Sequence, residues 1–171
     1  MITGSVCNEI LKLVQSHDQV DKFKNSFINL AIPQFVMSQP DQPRRNESKD
    51  YDPIMCGPVK CIPEGYTCYE KVVINAGSLS LQALIEWFDT NLGLEITMIT
   101  TGNIALYNSY LPGNKHKSRL PMKVEDIFRE MSDLGLPGGR YYLILEVGGS
   151  IKDTEEDFQI PPIKYCFKPA P

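Results

Sequence analysis

Apolar residues recur every three or four positions in the first fifteen residues. Ile2, Val6, Ile10 and the pair Leu13/Val14 fall on one side of a 3.6-residue repeat and predict an amphipathic helix. The next run, "FINLAIPQFV", is rich in β-formers but interrupted by Pro33, which suits a strand at an edge or an end. One helix and one strand cannot enclose that much apolar surface. Residues 1–40 therefore read as a helix–strand remnant of a larger domain.

Residues 38–67 lose all periodicity. They are rich in proline, glycine and charge, and 41–67 is expected to be a linker or irregular extension. Regular pattern returns at Cys68. "CYEKVVI" predicts a strand. "SLQALIEWFDTNLG" predicts a helix with Ser80 as N-cap, an apolar stripe of Leu81, Leu84, Ile85, Phe88 and Leu92, and Gly93 at the left-handed C-terminal position. Strands follow in "LEITMIT" and "IALYNSYL", which meet near Gly102-Asn103. A short helix is expected in "VEDIFREM", then strands in "RYYLILEV" and "FQIPPIKYCF". About five strands and two helices, without regular alternation, predict an α+β domain over residues 68–171. Its mixed sheet would be covered by helices on one face. There is no internal repeat.

Strand geometry assigns faces within the last two runs. Leu143, Leu145 and Val147 share one side, whereas Tyr142, Ile144 and Glu146 share the other. Phe158 and Ile160 alternate with Asp157 and Gln159. If the apolar sets pack under the helix, Glu146, Asp157 and Gln159 project from the uncovered face beside Tyr142 and Ile144. The charge is concentrated here too. From Leu143 to Pro161, five carboxylates (Glu146, Asp153, Glu155, Glu156, Asp157) against Lys152 give minus four, which equals the formal charge of the whole chain. Acid around an aromatic and an aliphatic side chain describes a docking patch. Periodicity alone favours the plainer reading, a solvated hairpin tip that keeps the chain soluble.

Composition narrows the classes of function. With 171 residues, 42% hydrophobic and 22% charged, the chain is of ordinary globular type. A pI near 5.2 argues against nucleic-acid binding, which needs a basic face. No apolar run reaches the ~20 residues that span a bilayer, so no membrane partner is expected. "MITGSVCNEI" lacks the basic and apolar regions of a secretion signal. Five scattered cysteines (Cys7, Cys56, Cys61, Cys68, Cys166) suit reduced thiols in the cytoplasm or nucleus. The sequon at Asn46 is too short a match to carry weight.

No complete catalytic constellation is present. The two histidines, His17 and His116, sit in polar stretches, and nothing marks a Cys–His pair with an orienting group. Cys56, Cys61 and Cys68 are spaced C-x4-C-x6-C and offer three thiolates where structural zinc takes four ligands, so a small zinc-binding adaptor is an alternative of a different class. Gly138-Gly139 and Gly148-Gly149 adjoin strand-like sequence and read as turns. The basic cluster "KHKSR" (Lys115 to Arg119) reads as a solvated loop, and Glu86, Asp89 and Glu95 as a second acidic surface or a solvated helix face.

Two sets of residues resemble a known family. "SVCNEILKLVQSHDQVDKFKNSFINLAIPQF" is similar to the end of the adenylation domain of eukaryotic ubiquitin-activating enzymes. "SLQALIEWFDTNLGLEITMITTGNIALYNSYLP" and the closing "LILEV…EEDFQIPPIKY" resemble their C-terminal ubiquitin-fold domain. The similarity leaves out about residues 41–67. It implies a ubiquitin-like β-grasp, no catalytic residue in this segment, and ATP and Mg bound only by the full-length parent. It implies that ubiquitin-conjugating enzymes are recruited through an acidic sheet face and oriented for thioester transfer. Ubiquitin itself would be met only through the parent. Acidic contact positions of the family fall on Glu146, Asp157 and Gln159; the third departs from the pattern, since an acid is expected there. Tyr142, Ile144, Glu155 and Glu156 complete the partner surface that this reading expects. Activation of a different modifier is the nearest alternative. A free modifier is disfavoured, because the chain ends "FKPAP" and not in Gly-Gly.

Overall fold

The computed structural model describes residues 1–110, 115–133, 135–136 and 138–169, with 115 and 116 by backbone alone. The chain divides into two compact units, Met1–Pro43 and Arg44–Pro171.

In the first unit α1 spans Ile2–Val14, as the periodicity predicts, and a 3-10 turn follows at Val20–Lys22. "FINLAIPQFV" is not one strand but a hairpin of β1 (Asn25–Asn29) and β2 (Gln34–Ser38), with Phe27 opposite Val36. The turn has a local cause: Asn29 Oδ1 accepts from Ala31 N at 3.0 Å and Ile32 N at 3.4 Å. Pro33 falls inside that turn, where its missing N–H costs the ladder nothing. Glu9 joins α1 to the start of β1, accepting from Lys12 Nζ at 2.7 Å and Lys24 N at 3.1 Å. The Lys12 hydrogen bond chiefly holds the Glu9 carboxyl below its ordinary pKa.

In the second unit the stretch expected to be linker carries structure. A hairpin of β3 (Lys49–Asp52) and β4 (Gly57–Cys61) lies within it, and β4 runs parallel to a strand nearly a hundred residues later. Asp52 shapes the turn by accepting from Ile54 N at 2.9 Å and Lys49 Nζ at 2.6 Å. Asn46 closes the base. Its N–H donates to Tyr66 O at 2.8 Å and its Nδ2 to the same oxygen at 3.1 Å, so the sequon amide is already engaged.

β5 (Val72–Ile74) is followed by α2 (Leu81–Leu92), whose ends are those the sequence predicts. Ser80 Oγ accepts from Ala83 N at 3.2 Å, and Gly93 takes φ +64°, a conformation that a side chain would strain. β6 (Leu94–Thr101) and β7 (Ile104–Asn108) pair antiparallel. Then come α3 (Lys115–Arg119), α4 (Val124–Met131), β8 (Tyr142–Ile151), β9 (Asp157–Gln159) and β10 (Ile163–Cys166). "FQIPPIKYCF" is thus two strands separated at Pro161-Pro162, which supply no ladder donors.

Among the described residues eight strands form one mixed sheet in the order β3-β4-β9-β8-β10-β5, with β6 against β8 and β7 against β6. The core lies between this sheet and α2 and α4. Leu81, Leu84 and Phe88 meet Ile99, Leu106, Leu143, Leu145, Ile163 and Tyr165, all fully buried. Each such side chain contributes roughly 1.5–3 kcal/mol by leaving water. The Tyr165 hydroxyl donates to Gly77 O and accepts from Leu79 N, both at 2.7 Å, tying the loop before α2 to the core. Burial pushes its pKa up to about 12.

Candidate functional site

β8 is the long central strand, and its two halves have different neighbours. Tyr142–Leu145 pairs with β10, and Glu146–Ile151 pairs with β6. Its odd-numbered residues Leu143 and Leu145 are fully buried, while Tyr142 and Ile144 are half-buried and Glu146 is exposed. The face that alternation left open is therefore the face turned away from the helices. Register carries the assignment across strands, because residues directly opposite share a side. Ser150 stands opposite Asp157, so Asp157 and, two residues on, Gln159 lie on the same face as Glu146. Neither Glu146 nor Asp157 has an ion-pair partner among the described residues.

The other two predicted acids sit differently. Glu155 and Glu156 belong to the turn between β8 and β9, where Glu155 takes φ +56°. Glu156 is engaged: its Oε2 is 3.7 Å from Lys60 Nζ of β4 and accepts from Thr154 Oγ1 at 3.2 Å. Lys152, in the same turn, reaches across to Asp89 of α2 at 2.7 Å. Of the three tip acids Asp153, Glu155 and Glu156, only Glu156 has an ion-pair partner among the described residues, because Lys152 is taken up by Asp89. Gln159 is exposed, and its Oε1 accepts weakly from Cys61 Sγ at 3.9 Å. Val59 and Cys61 of β4 stand opposite Asp157 and Gln159, share their side and are buried, so the extension covers this side of the sheet beyond β9, and a notch lined by Arg44, Arg45, Asn46, Glu47, Ser48 and Lys49 flanks Gln159.

Sequence reasoning missed two cations and placed a third acid elsewhere. Lys164 is opposite Ile144, and its Nζ lies 4.7 Å from the Tyr142 ring centre and 5.2 Å from that of Tyr141. Arg140 approaches Tyr142 from the strand's entry, with Cζ 5.5 Å from the ring centre and Nε donating to Tyr142 O at 3.2 Å. The alternation Ile163, Lys164, Tyr165 already held the Lys164 signal, but its neighbour depends on register. Glu95 falls opposite Ser150, in the same row as Asp157, and apart from Glu86 of α2.

The remaining sequence candidates stay apart. Cys61 and Cys166 are buried, whereas Cys7, Cys56 and Cys68 are exposed. Burial pushes the Cys61 thiol pKa up. No group of three or more His, Cys, Asp or Glu side chains converges as a metal site among the described residues. "KHKSR" forms α3 and not a loop, while the side chain of His116 lies outside the described residues. Gly138-Gly139 is a turn, but Gly148-Gly149 is not: both lie inside β8. A Cβ on Gly149 would sit 1.9 Å from Glu95 O, so this crossing of β6 and β8 admits only glycine.

A mixed multi-stranded sheet covered by few helices is consistent with a ubiquitin fold. A family model described as the ubiquitin fold domain matches residues 70–163. The chain is 32% identical over 171 residues to "Ubiquitin-activating enzyme E1 1" of Candida albicans (strain WO-1), covering 98% of this chain and 15% of that protein. It is 30% identical over 168 residues to "Ubiquitin-activating enzyme E1 1" of Triticum aestivum, covering 98% and 14%. To "Ubiquitin-like modifier-activating enzyme 1" of Homo sapiens it is 28% identical over 172 residues, covering 98% and 15%. The chain belongs to the ubiquitin-fold-domain family of ubiquitin-activating enzymes. It spans about 15% of the length of the relatives it matches.

Proposed function

We propose that the second unit recruits ubiquitin-conjugating enzymes through the open face of β8 and β9 and orients them for thioester transfer of ubiquitin. The carrying observation is that Glu146 and Asp157, without an ion-pair partner among the described residues, lie on one face with Tyr142 and Ile144 between buried neighbours. A basic helix laid there meets carboxylates that steer it and apolar side chains that hold it. The neutral Gln159 removes one charge that the family pattern carries, and Glu156 does not replace it, being held by Lys60. A modest charged interface suits a handover, because it speeds encounter and still lets the loaded partner leave. ATP, Mg and adenylation belong to the parent enzyme in this reading. Catalysis does not fall on any of the five cysteines.

The test is charge reversal. The Glu146→Lys/Asp157→Lys variant keeps its circular dichroism spectrum and melting temperature and binds conjugating enzymes at least about tenfold more weakly in low-salt titrations, as loss and reversal of two rim charges predicts. Superimposable binding curves for variant and wild type refute the role.

A further inference from the structure

The open face is not uniformly acidic, and the geometry points to a partner helix with two poles. It is cationic where it meets Glu146 and Asp157, and carries carboxylates where it meets Lys164 and Arg140. Charge then fixes the direction in which the helix lies along β8. The inference rests on the docking role proposed above and adds the sense of docking.

Three observations carry it. Lys164 and Arg140 both stand against the Tyr142 ring, at 4.7 and 5.5 Å from its centre, so two cations bracket one end of the face. Neither has a carboxylate partner among the described residues. Lys164 Nζ donates to Tyr141 Oη at 3.4 Å, which leaves further donors of its ammonium for an incoming acceptor. Further along β8 comes Glu146, which lines one notch with Ile144 and Arg140, and the far end holds Asp157 and Glu95, flanking Ser150 in register.

The spacing fits a helix. At ~3.4 Å per strand residue, Tyr142 and Glu146 are ~14 Å apart and Tyr142 and Ser150 ~27 Å apart, the length of ~9 and ~18 helical residues. A segment of that length touches both poles. One that is basic throughout sets its far cations against Lys164 and Arg140, and like charges there select against it.

The test uses the 171-residue chain and two fluorescein-labelled, hydrocarbon-stapled amphipathic helices of ~18 residues. Both carry arginines over one half; the last turn of the other half bears two glutamates in one peptide and two glutamines in the other. Anisotropy titrations at low salt should show the glutamate peptide binding wild type about threefold more tightly than the glutamine peptide. Lys164→Glu should reverse that order, and Lys164→Ala, which leaves Arg140 in place, should narrow it. Glu146→Lys/Asp157→Lys should weaken both peptides alike. Equal affinity of the two peptides for wild type, with the Glu146/Asp157 dependence intact, overturns the two-pole inference and leaves the docking role standing. Insensitivity of both peptides to Glu146→Lys/Asp157→Lys overturns the docking role itself.

Discussion

The two units contain helices that look alike in sequence and behave oppositely in structure. α1 and α2 both carry an apolar stripe. Leu84 and Phe88 of α2 have no exposed surface, whereas Ile2, Ile10 and Val14 of α1 are 68%, 51% and 75% exposed. The β1–β2 hairpin repeats the contrast, with Phe27 and Phe35 open to solvent, while Ile99 and Leu106 of β6 and β7 are sealed. Periodicity therefore tells which side of an element wants cover. It does not tell whether this chain supplies the cover. The second unit encloses its own core; the first leaves its apolar sides uncovered by its own elements.

The largest expected effect breaks that comparison most directly. Phe88→Ala should cost about 3–5 kcal/mol in urea denaturation followed through the second unit, by loss of transfer energy and creation of a cavity. Phe27→Ala, an equal truncation at an exposed position, should stay within about 0.5 kcal/mol. Equal losses would mean that the first unit hides a core of its own. Next in size, Tyr165→Phe removes a hydroxyl with two buried partners and should cost about 1–3 kcal/mol. The sign with pH follows from its raised pKa. The neutral phenol is favoured in the folded state, so its contribution is complete below pH 10 and is lost as pH rises toward about 12. The phenylalanine variant should lack that alkaline component of the stability curve.

Smaller still is the Ser80→Ala change, expected to remove about 1 kcal/mol through the lost cap at Ala83 N. The smallest effect lies in the extension. Asp52 and Glu64 have pKa values lowered chiefly by hydrogen bonds from Lys49 and Ser48 respectively. Their contributions are present above the unfolded carboxyl range and fade as pH falls through the lowered values. Hydrogen exchange at the Asn46 and Gly65 amides should therefore quicken in acid before exchange in β8 does. Simultaneous loss would show that the extension and the core form one cooperative block.

The sequence revealed local features well and nonlocal ones poorly. Ser80 and Gly93 marked the ends of α2 to the residue, because capping and left-handed backbone are chemistry of single positions. Alternation alone put Tyr142, Ile144 and Glu146 on the open side. β4 was hidden, since "GPVKC" shows no pattern and becomes a strand only because β9 offers a ladder to it. The capture of Glu156 by Lys60 and the arrival of Lys164 beside Tyr142 were hidden for the same reason. Both are set by strand register, which no window along the chain contains.

The parallel pairing of β4 with β9 has a consequence for anyone shortening the molecule. A piece trimmed to start near residue 70, where the family similarity starts, would strip β9 of its outer neighbour and lay bare the backbone of Asp157–Gln159. Such a border invites strand addition from a second copy, on the very rim that carries Asp157. Truncated protein would then self-associate in sedimentation experiments, where the 171-residue chain would not.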